Sequence, residues 1–363
     1  KRQAIGWGAV AAGCNFFAGY PITPATTIYN TMLKILPSRG GICLQGEDEI
    51  ASIGFCLGAS MAGMKTMTAT SGPGISLYSE QISFAFGSES PIVVVDVQRL
   101  GPSTGSATKG ADGDIQFLQW GNSGGLPVIV LAPVDVKDCF VLTVHAFNLA
   151  ERFRCPVFVA SNKEISMTRE TFFWDGQELP PVVNRRNADS TEAFLPFGSR
   201  GGREVPDFLP IGGEKLVRQT SSTHGANGYI TADPDEIAAM QTRLESKISR
   251  YVGDFTFFDD YSVADADTLV IAYGVTARAA RAAVKRMQGR KHQASLLVLK
   301  TLWPVPEALI REKAAAYKRV VMVEMNLGQY VRELQRVLPD KKIDFLGQMN
   351  GELIKPRQIM EVM

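Results

Sequence analysis

Short apolar runs alternate with longer stretches of helical spacing from residue 1 to about residue 160. The apolar runs read CNFFAGY, GICLQ, KTMTAT, PIVVVDVQ, LPVIVLAP and CPVFVAS. Continuous runs of β-branched and apolar residues without alternation are typical of strands in a sheet that is covered on both faces. Because strand and helix patterns follow each other in turn, this part of the sequence predicts an α/β fold with a doubly wound parallel sheet.

A second alternating block runs from about residue 266 to residue 363. Its apolar runs DTLVIAYG, ASLLVLK, RVVMVEM and KIDFLGQ are separated by stretches of helical spacing. This pattern predicts a second, smaller α/β domain. We therefore predict one domain at residues 1–165, a connecting arm with one helix at 166–255 and the smaller domain at 256–363.

Over most of its length the connecting arm shows neither the helical nor the strand pattern of apolar residues, and it is rich in Pro, Gly and Arg. Its length alone is compatible with disorder. It also contains five large apolar side chains, Phe194, Leu195, Phe197, Phe208 and Leu209. These side chains predict that the arm docks on another surface. The helix of the arm is predicted at about 234–251, with Asp233 as its N-cap and Pro234 in its first turn.

Charge and composition exclude several classes of protein. The 363 residues include 38 Lys and Arg and 37 Asp and Glu, so the net charge of +1 predicts neither a nucleic-acid nor a membrane partner. The sequence contains no run of 18 apolar residues and no signal-peptide pattern, which predicts a soluble, cytoplasmic protein. Because the first residue is not Met, we expect further residues, or a whole segment, upstream.

The cysteines and histidines predict structural rather than catalytic or metal-binding roles. The five cysteines are widely spaced and mostly apolar in context, which is typical of reduced core thiols. No Cys-x-x-Cys occurs, so the chain is a poor candidate to hold zinc or an iron–sulfur cluster by itself. His145, His224 and His292 show no catalytic-triad or metal spacing.

Four unusual loops follow the first four predicted strands. They are Tyr20–Pro24, Gly46–Glu49, Ser71–Gly74 and Arg99–Asp114. Loops at the carboxyl ends of parallel strands emerge at one edge of the sheet, where ligands bind. We therefore predict that all four loops line one crevice.

The first two loops each have a simple structural interpretation. Thr23 and Pro24 suit a helix N-cap and the first helical position. Glu47, Asp48 and Glu49 suit the first turn of a helix, and capping is the simpler interpretation for any single one of them. The helix that Glu49 opens is apolar and rich in small residues nearly all round, which predicts burial against another domain or subunit.

The loop that begins at Arg99 is too long for a minimal connection and is rich in Gly, Ser and Thr. An arginine among hydroxyl groups suits a carboxylate or a phosphate. The alternative is a surface arginine paired with Asp112 or Asp114. The Ser71–Gly74 loop matches neither a Walker A loop nor a dinucleotide fingerprint.

Five motifs together resemble a known family. They are YPITP at 20–24, GEDEIA at 46–51, TATSGPG at 68–74, QRLGPSTG at 98–105 and VEMNLGQ at 323–329. They resemble the α subunit of the 2-oxoacid:ferredoxin oxidoreductases, closest to the 2-oxoglutarate type. The resemblance covers essentially the whole chain. It implies a pyrimidine-binding domain of a thiamine enzyme, followed by a domain like the transketolase C-terminal domain.

The resemblance also implies an activity. These enzymes use thiamine diphosphate to decarboxylate a 2-oxoacid, form an acyl-CoA from coenzyme A, and pass electrons through iron–sulfur clusters to ferredoxin. The reaction is reversible in principle and can serve a reductive TCA cycle. Alternatives are the same mechanism on a branched-chain or aromatic 2-oxoacid, a non-catalytic interaction subunit, or an unrelated α/β protein whose loops only cap helices.

Individual residues match the family's cofactor-binding positions. Glu49 matches best the glutamate that contacts the aminopyrimidine ring of the cofactor, and Glu47 matches second. Such a carboxyl must share a proton with the ring, against the field of the helix dipole. Ser71 and Gly72 are expected to contact the cofactor as well.

Three further residues match positions that face the substrate. The resemblance assigns Thr23 to the substrate side of the crevice and assigns recognition of the oxoacid to Arg99 and Thr108. A bidentate arginine suits a carboxylate that must be desolvated before carbon dioxide leaves.

The chain lacks one part of the family's chemistry. Thiamine enzymes hold Mg²⁺ and the diphosphate with Gly-Asp-Gly and a later Asn, and the nearest sequence here, Asp112-Gly113-Asp114, is the wrong permutation. The resemblance therefore implies a β subunit that carries the diphosphate site, the Mg²⁺ and an iron–sulfur cluster. An (αβ)₂ or larger assembly is expected.

Overall fold

The computed structural model describes residues 3–171, 178–189, 194–198, 204–290 and 292–363. Within these residues the strands are β1 (Phe16–Gly19), β2 (Ile42–Gln45), β3 (Thr66–Thr70), β4 (Ile92–Gln98), β5 (Ile129–Leu131), β6 (Pro156–Asn162), β7 (Phe258–Tyr261), β8 (Thr268–Tyr273), β9 (Ala294–Leu299), β10 (Thr301–Trp303), β11 (Arg319–Glu324) and β12 (Lys342–Gly347). The helices are α1 (Gln3–Ala11), α2 (Thr26–Ile35), α3 (Glu49–Met61), α4 (Pro73–Leu77), α5 (Ser79–Gly87), α6 (Ile115–Trp120), α7 (Val136–Phe153), α8 (Lys163–Met167), α9 (Pro234–Ser249), α10 (Thr276–Met287), α11 (Glu307–Ala314), α12 (Val331–Val337) and α13 (Pro356–Val362).

The first sheet has the order β10-β5-β6-β4-β3-β1-β2 in the described part of the chain. Strands β1 to β6 run parallel, as the alternating pattern predicts. The central strands β3, β4 and β6 are buried along their whole length. Helix α3 packs on β1 and β3, while α7 packs on β4 and β6 and against α1. The doubly wound α/β architecture is thus confirmed.

Strand β2 differs from its prediction. The sequence predicts a strand covered on both faces, but β2 lies at the edge of the sheet, and Ile42 and Leu44 are exposed. An edge strand of apolar residues has the same sequence pattern as a central strand, because periodicity does not report how many neighbours a strand has.

The second sheet has the order β12-β11-β8-β9-β7. Four of these strands are parallel, and β7 joins the edge antiparallel to β9. Helix α10 packs on β8 and β9 and against α13. This smaller α/β unit confirms the prediction for the C-terminal block.

Strand β10 crosses between the two sheets. It follows β9 almost directly along the chain, yet it pairs antiparallel with β5 of the first sheet. The indole Nε1 of Trp303 on β10 donates a hydrogen bond to the carbonyl of Ile115, 3.0 Å away. The strand has only three residues, which is too short for a periodic signal.

The connecting arm docks on the first domain. The guanidinium of Arg185 forms a buried ion pair with Glu151 at 2.7 Å and donates to the carbonyls of Ser60 and Met64. Phe197 and Phe208 are buried, as predicted, whereas Leu195 is exposed. Helix α9 begins with Asp233, whose side chain accepts from the backbone amides of its first turn, so the predicted cap is present.

A buried ion cluster ties α9 to the first domain. Both carboxylate oxygens of Glu89 are paired, one with Arg243 at 2.6 Å and one with Lys247 at 2.9 Å. Lys247 also donates to the carbonyl of Arg154, at 3.1 Å. Burial alone would raise the pKa of Glu89, but Lys247 and Arg243 outweigh burial and hold the pKa below its usual range.

The five cysteines are free thiols, and all but Cys43 are buried. Burial raises the pKa of Cys14 to about 12, so the thiol keeps its proton. The ring of His145 packs against Phe257, and that of His224 stacks on Phe197. Among the described residues no helix is both long and apolar enough to cross a membrane.

Candidate active site

The candidate site lies where the order of the first sheet reverses. Strand β1 is flanked by β2 on one side and by β3 on the other, so the loops after β1 and β3 leave the sheet on either side of a crevice. Ligands of open α/β sheets bind at such a switch point, outside the carboxyl ends of the strands. The loops at this point are Gly19–Ala25 and Ser71–Gly74.

The turn at Ser71–Gly74 brings two predicted site residues together. Gly72 has a φ of +57°, and a Cβ there would lie 2.6 Å from Nε of Arg99. A Cβ at Gly74 would lie 2.9 Å from Oε1 of Glu49. The two glycines therefore allow Arg99 and Glu49 to approach the same short turn of backbone from neighbouring positions. We call this surface, formed by Gly72 and Gly74 with Glu49 and Arg99, the rim.

The acids at the start of α3 have separate positions. Asp48 is the N-cap, and its Oδ1 accepts from the amide of Ala51 at 2.7 Å. Glu49 is the first residue of the helix and is only 7% exposed, whereas Glu47 is exposed. Because Asp48 already caps the helix, the Glu49 carboxylate is not needed for that purpose.

Arg99 joins three loops at the rim. One terminal nitrogen, Nη1, donates to the carbonyl of Thr23, and the other, Nη2, donates to the carbonyl of Thr104 at 2.9 Å. Its Nε is buried against Gly72 and has no partner among the described residues. Burial lowers the pKa of Arg99, and the carboxylates of Asp114 and Glu49 oppose that shift.

Thr23 does not cap a helix. Helix α2 begins at Thr26, and its N-cap is Ala25, which makes no side-chain capping bond. The first structural interpretation of Thr23 and Pro24 is therefore wrong, because the turn continues for two more residues before the helix begins. The side chain of Thr23 is exposed, while its carbonyl is held by Arg99.

The rim contains buried polar atoms that the described chain leaves unpaired. The hydroxyls of Thr70 and Ser71 have no hydrogen-bond partner there, and neither has Nε of Arg99. Buried polar atoms are nearly always paired in folded proteins, so a group of exceptions indicates a place for a ligand or a partner. Ser71 and Gly72 both lie among these contacts, and their contact with a cofactor stays a prediction.

Two acidic residues near Arg99 were not among the predicted site residues. Asp96 lies inside β4 and is completely buried, and its carboxyl faces Asp114. Burial raises the pKa of both carboxyl groups, the charge of Asp114 raises the pKa of Asp96 further, and the two groups titrate as one pair. A carboxyl inside the otherwise mostly apolar run PIVVVDVQ is the signal that would have found Asp96.

Thr108 is not part of the contacts that form the rim. It lines a crevice of about 790 Å³ between the loop after β4 and the C-terminal domain, together with Lys109, Thr276 and Lys355. The structure therefore brings Glu49, Arg99, Thr23, Ser71 and Gly72 into one neighbourhood, and it places Thr108 at the far side of the same loop.

The rim suits a polar heterocycle better than a metal. A buried carboxylate, unpaired hydroxyls and two glycines that keep the wall open fit a ring with hydrogen-bonding edges, such as an aminopyrimidine. Among the described residues no group of three or more His, Cys, Asp or Glu side chains could hold a metal ion.

Two family models match the chain. The model described as "Pyruvate flavodoxin/ferredoxin oxidoreductase, thiamine diP-bdg" matches residues 7–242. The model described as "Pyruvate:ferredoxin oxidoreductase core domain II" matches residues 266–359. Together they span both α/β units of the structure.

Curated relatives match over nearly the full length. The chain is 39% identical to the 2-oxoglutarate synthase subunit KorA of Methanothermobacter marburgensis, over 99% of this chain and 96% of that protein. It is 38% identical to the protein of the same name from Methanocaldococcus jannaschii, with the same coverage. It is 33% identical to the ketoisovalerate oxidoreductase subunit VorB of Methanothermobacter thermautotrophicus, over 99% of this chain and 95% of that protein.

Solved structures agree with the sequence matches. The 2-oxoglutarate:ferredoxin oxidoreductase from Magnetococcus marinus, with 2-oxoglutarate, coenzyme A and succinyl-CoA bound, superposes with a TM-score of 0.90 at 33% identity. The match covers 99% of this chain and 63% of that chain. A split-gene transketolase matches with a TM-score of 0.59 at 13% identity, which shows a shared fold alone. The chain belongs to the pyruvate flavodoxin/ferredoxin oxidoreductase family and contains its thiamine diphosphate-binding region.

Proposed function

We propose that this chain is the α subunit of a 2-oxoglutarate:ferredoxin oxidoreductase and supplies half of a shared active site. The reaction converts 2-oxoglutarate and coenzyme A into succinyl-CoA, CO₂ and a proton, and a pair of electrons leaves through iron–sulfur clusters to ferredoxin. The observation that carries the proposal is the rim, where Glu49 and Arg99 meet at the turn that contains Gly72 and Gly74. Four relatives named 2-oxoglutarate synthase subunits, 38–39% identical over 99% of the chain, support the substrate.

Glu49 is the residue that would hold the pyrimidine end of the cofactor. Thiamine diphosphate, when bound, supplies a carbon nucleophile for the 2-oxo group and accepts the electrons that remain after CO₂ has left. The Glu49 carboxyl would keep a proton in a hydrogen bond to the aminopyrimidine ring. Its burial beside Gly74 supports this role, because a proton shared out of water is not lost to solvent.

Arg99 would recognise a carboxylate of the oxoacid. Nη1 and Nη2 each hold one carbonyl, and each carries a second N–H group that suits a charged acceptor, while Nε is buried against Gly72. Thr23, whose carbonyl Arg99 holds, and Ser71, which precedes Gly72, carry hydroxyl groups that suit the 2-oxo group or the cofactor ring. Thr108 would act from the distal part of the same loop.

A partner chain would complete the site. The outer face of α3 is apolar and exposed at Ile50 and Phe55, each 46% exposed. The same helix carries the exposed Gly58, where a Cβ would meet no atom of the described residues within 4 Å, so the described part of this chain does not require glycine there. A close helix contact with a β subunit would require it. That subunit would hold the diphosphate, the Mg²⁺ and an iron–sulfur cluster, in an (αβ)₂ or larger cytoplasmic assembly.

The test is to replace Glu49 in the complex with the natural partner chain. Glu49→Gln keeps the shape and removes the carboxylate, and we expect dye reduction with 2-oxoglutarate and coenzyme A to fall about 10³-fold while the complex stays intact. Glu47→Gln is the matched control, two residues away and exposed. Unchanged turnover in Glu49→Gln would favour the non-catalytic interaction subunit, and a loss only in Glu47→Gln would transfer the cofactor role to Glu47.

A second candidate substrate is a branched-chain 2-oxoacid. The similarity to a ketoisovalerate oxidoreductase subunit, 33% over 99% of the chain, is the observation in its favour. A panel of 2-oxoglutarate, 2-oxoisovalerate and phenylpyruvate separates the candidates. A higher kcat/KM for either of the last two would overturn the proposed substrate and leave the proposed mechanism standing.

A further inference from the structure

One motif of the sequence lies outside the rim and has no role in the proposed function so far. The segment VEMNLGQ at residues 323–329 follows β11 at the carboxyl edge of the second sheet. In the structure its last four residues form a turn that contacts the loop after β4, the same loop that begins with Arg99. We call residues 326–329 the clamp turn.

The clamp turn holds the far end of the Arg99 loop by several hydrogen bonds. Asn326 donates from Nδ2 to the carbonyl of Asp112 at 2.8 Å, and the amide of Asp112 donates to the carbonyl of Met325 at 2.9 Å. Gln329 donates from Nε2 to the carbonyl of Gly113 and accepts at Oε1 from the amide of Gln116, at 2.9 Å. Consecutive backbone groups of the loop are therefore fixed by a second domain.

The clamp turn is itself rigid. Oδ1 of Asn326 accepts from the amides of Gly328 and Gln329, each at 2.9 Å. Glu324 is fully buried and accepts from the hydroxyl of Tyr273 at 2.8 Å and from the amide of Val331 at 2.9 Å. A turn whose buried polar atoms are paired in this way keeps one geometry.

The segment that the clamp turn holds is linked to Arg99 through Asp114. Asp114 directly follows Gly113, its amide donates to Oε1 of Gln98 at 3.0 Å, and its carboxylate acts on the charge of Arg99. The other end of the loop begins at Arg99 itself, which also holds the carbonyl of Thr104. Movement at Asp112–Gly113 would thus change both the path of the loop and the charge that faces the guanidinium.

We infer that Gln329 and Asn326 of the C-terminal domain are positioning residues for Arg99. They act through the Asp112–Gln116 segment and fix the geometry in which Arg99 meets the oxoacid. The C-terminal domain then contributes to substrate affinity in addition to its architectural role. This inference rests on the proposed function, because it requires Arg99 to bind the substrate.

The test uses Gln329→Met in the complex with the natural partner chain. The variant keeps the size of the half-buried side chain and removes its bonds to Gly113 and Gln116. We expect KM for 2-oxoglutarate to rise about 5- to 30-fold, with kcat within about twofold of the wild type. Hydrogen exchange in residues 100–116 should become faster.

Gln293→Met is the matched control. Gln293 also bonds two backbone groups, the amide of Gly289 and the carbonyl of Ala264, but within the C-terminal domain alone. We expect its KM and the hydrogen exchange of residues 100–116 to stay at wild-type values. An equal rise of KM in both glutamine variants would indicate a general loss of structure and would overturn the inference.

A double-mutant cycle separates this inference from the proposed function. Arg99→Gln alone should raise KM about 100-fold, and adding Gln329→Met should then change KM little further, since Gln329 acts through Arg99. If Arg99→Gln leaves KM unchanged, the proposed function fails. If Arg99→Gln raises KM but Gln329→Met does not, or if the two effects multiply, only the positioning role fails.

Discussion

Two regions of this molecule contain buried charged groups. They differ in whether the chain itself supplies partners for those groups. Under the connecting arm, Glu89 is completely buried, and its carboxylate is paired with both Arg243 and Lys247. Each member of that cluster has a partner supplied by the chain itself. Such complete networks are typical of groups that hold a fold together.

The rim shows the opposite arrangement. The hydroxyl of Ser71 and Nε of Arg99 are buried, yet the described part of the chain offers them no partner. Likewise, Gly58 lies on an exposed face of α3, where an added Cβ would meet no atom of the described residues within 4 Å. The comparison shows that burial alone does not distinguish a group that holds the fold together from one that suits a ligand, and that pairing within the chain is the feature in which the two regions differ. We therefore expect changes in the ion cluster to alter the stability of the isolated chain, and changes in the rim to alter the activity of the complex.

The largest effect on stability is expected at Glu89. Glu89→Gln leaves Lys247 and Arg154 buried beside a neutral amide, and we expect the free energy of unfolding to fall by about 3–5 kcal/mol. Urea denaturation at neutral pH measures it. Glu80→Gln, at an exposed acid in the first turn of α5, should cost less than about 1 kcal/mol.

The same cluster predicts a direction with pH. Because Lys247 and Arg243 hold the pKa of Glu89 below its usual value of 4.5, the stabilisation is present above that value and is lost as the pH falls below it. If Glu89→Gln and Glu80→Gln lower the free energy of unfolding equally at neutral pH, the ion cluster contributes no more than a surface acid. The contrast between the cluster and the rim would then not hold.

A smaller effect on stability is expected at Asp112, with a pH dependence opposite to that of Glu89. Asp112 lies in the junction between the two domains, where most other polar groups are paired. Burial raises the pKa of Asp112 to about 7. The charge of Glu324 raises this pKa as well, whereas the hydrogen bond from Asn162 lowers it. The stabilisation is therefore present at about pH 4 and is lost as the pH rises to about 7. Asp112→Asn removes the titration and keeps an oxygen that can accept from Asn162.

The free energy of unfolding of Asp112→Asn should equal that of the wild type near pH 4. At pH 8 it should be higher than that of the wild type, by less than about 4 kcal/mol. Urea denaturation at both pH values measures the difference. Asp265→Asn is a matched control in an exposed turn with a φ of 57°, a conformation that Asn tolerates. If the stability of Asp112→Asn depends on pH in the same way as that of the wild type, Asp112 does not titrate with a raised pKa in the folded protein.

The smallest effect is expected at Gly58. Gly58→Ala adds a Cβ in open space within a helix, so the isolated chain should become more stable by about 0.5–1 kcal/mol. Association with the partner chain should weaken, as measured by the dissociation constant. Gly253→Ala, where a Cβ also meets nothing within 4 Å, should leave association unchanged. Unchanged association in Gly58→Ala would show that the exposed face of α3 is not the contact.

Much of the fold follows from the sequence, because its strands and helices are long and periodic. Strands β4 and β6 are mostly apolar, without alternation, and were predicted together with the parallel topology. The sequence missed α1, whose residues QAIGWGAVA mix glycine with apolar residues on all sides. Short elements such as α8 and β10 carry too few residues for a period, and only their tertiary neighbours decide their conformation.

The candidate site was predictable as far as neighbouring loops go. The rule for carboxyl ends of parallel strands placed Arg99 near Ser71, and the structure has them at one turn. The rule cannot give the route of a long loop, so it did not separate Thr108 from Arg99. It also could not reveal the clamp turn, because Gln329 lies more than 200 residues from its partner Gly113 along the chain.

Strand β10 limits how this protein can be recombined. Residues Thr301–Trp303 complete the edge of the first sheet, although they lie within the sequence of the smaller domain. A chimaera that exchanged everything after residue 255 for the equivalent region of a relative would replace that edge strand and the Trp303 bond to Ile115. A breakpoint after Trp303 would instead divide β8 from its partner β11 in the second sheet. Exchange of the smaller domain between family members therefore has to keep Thr301–Trp303 matched to β5 of the first sheet.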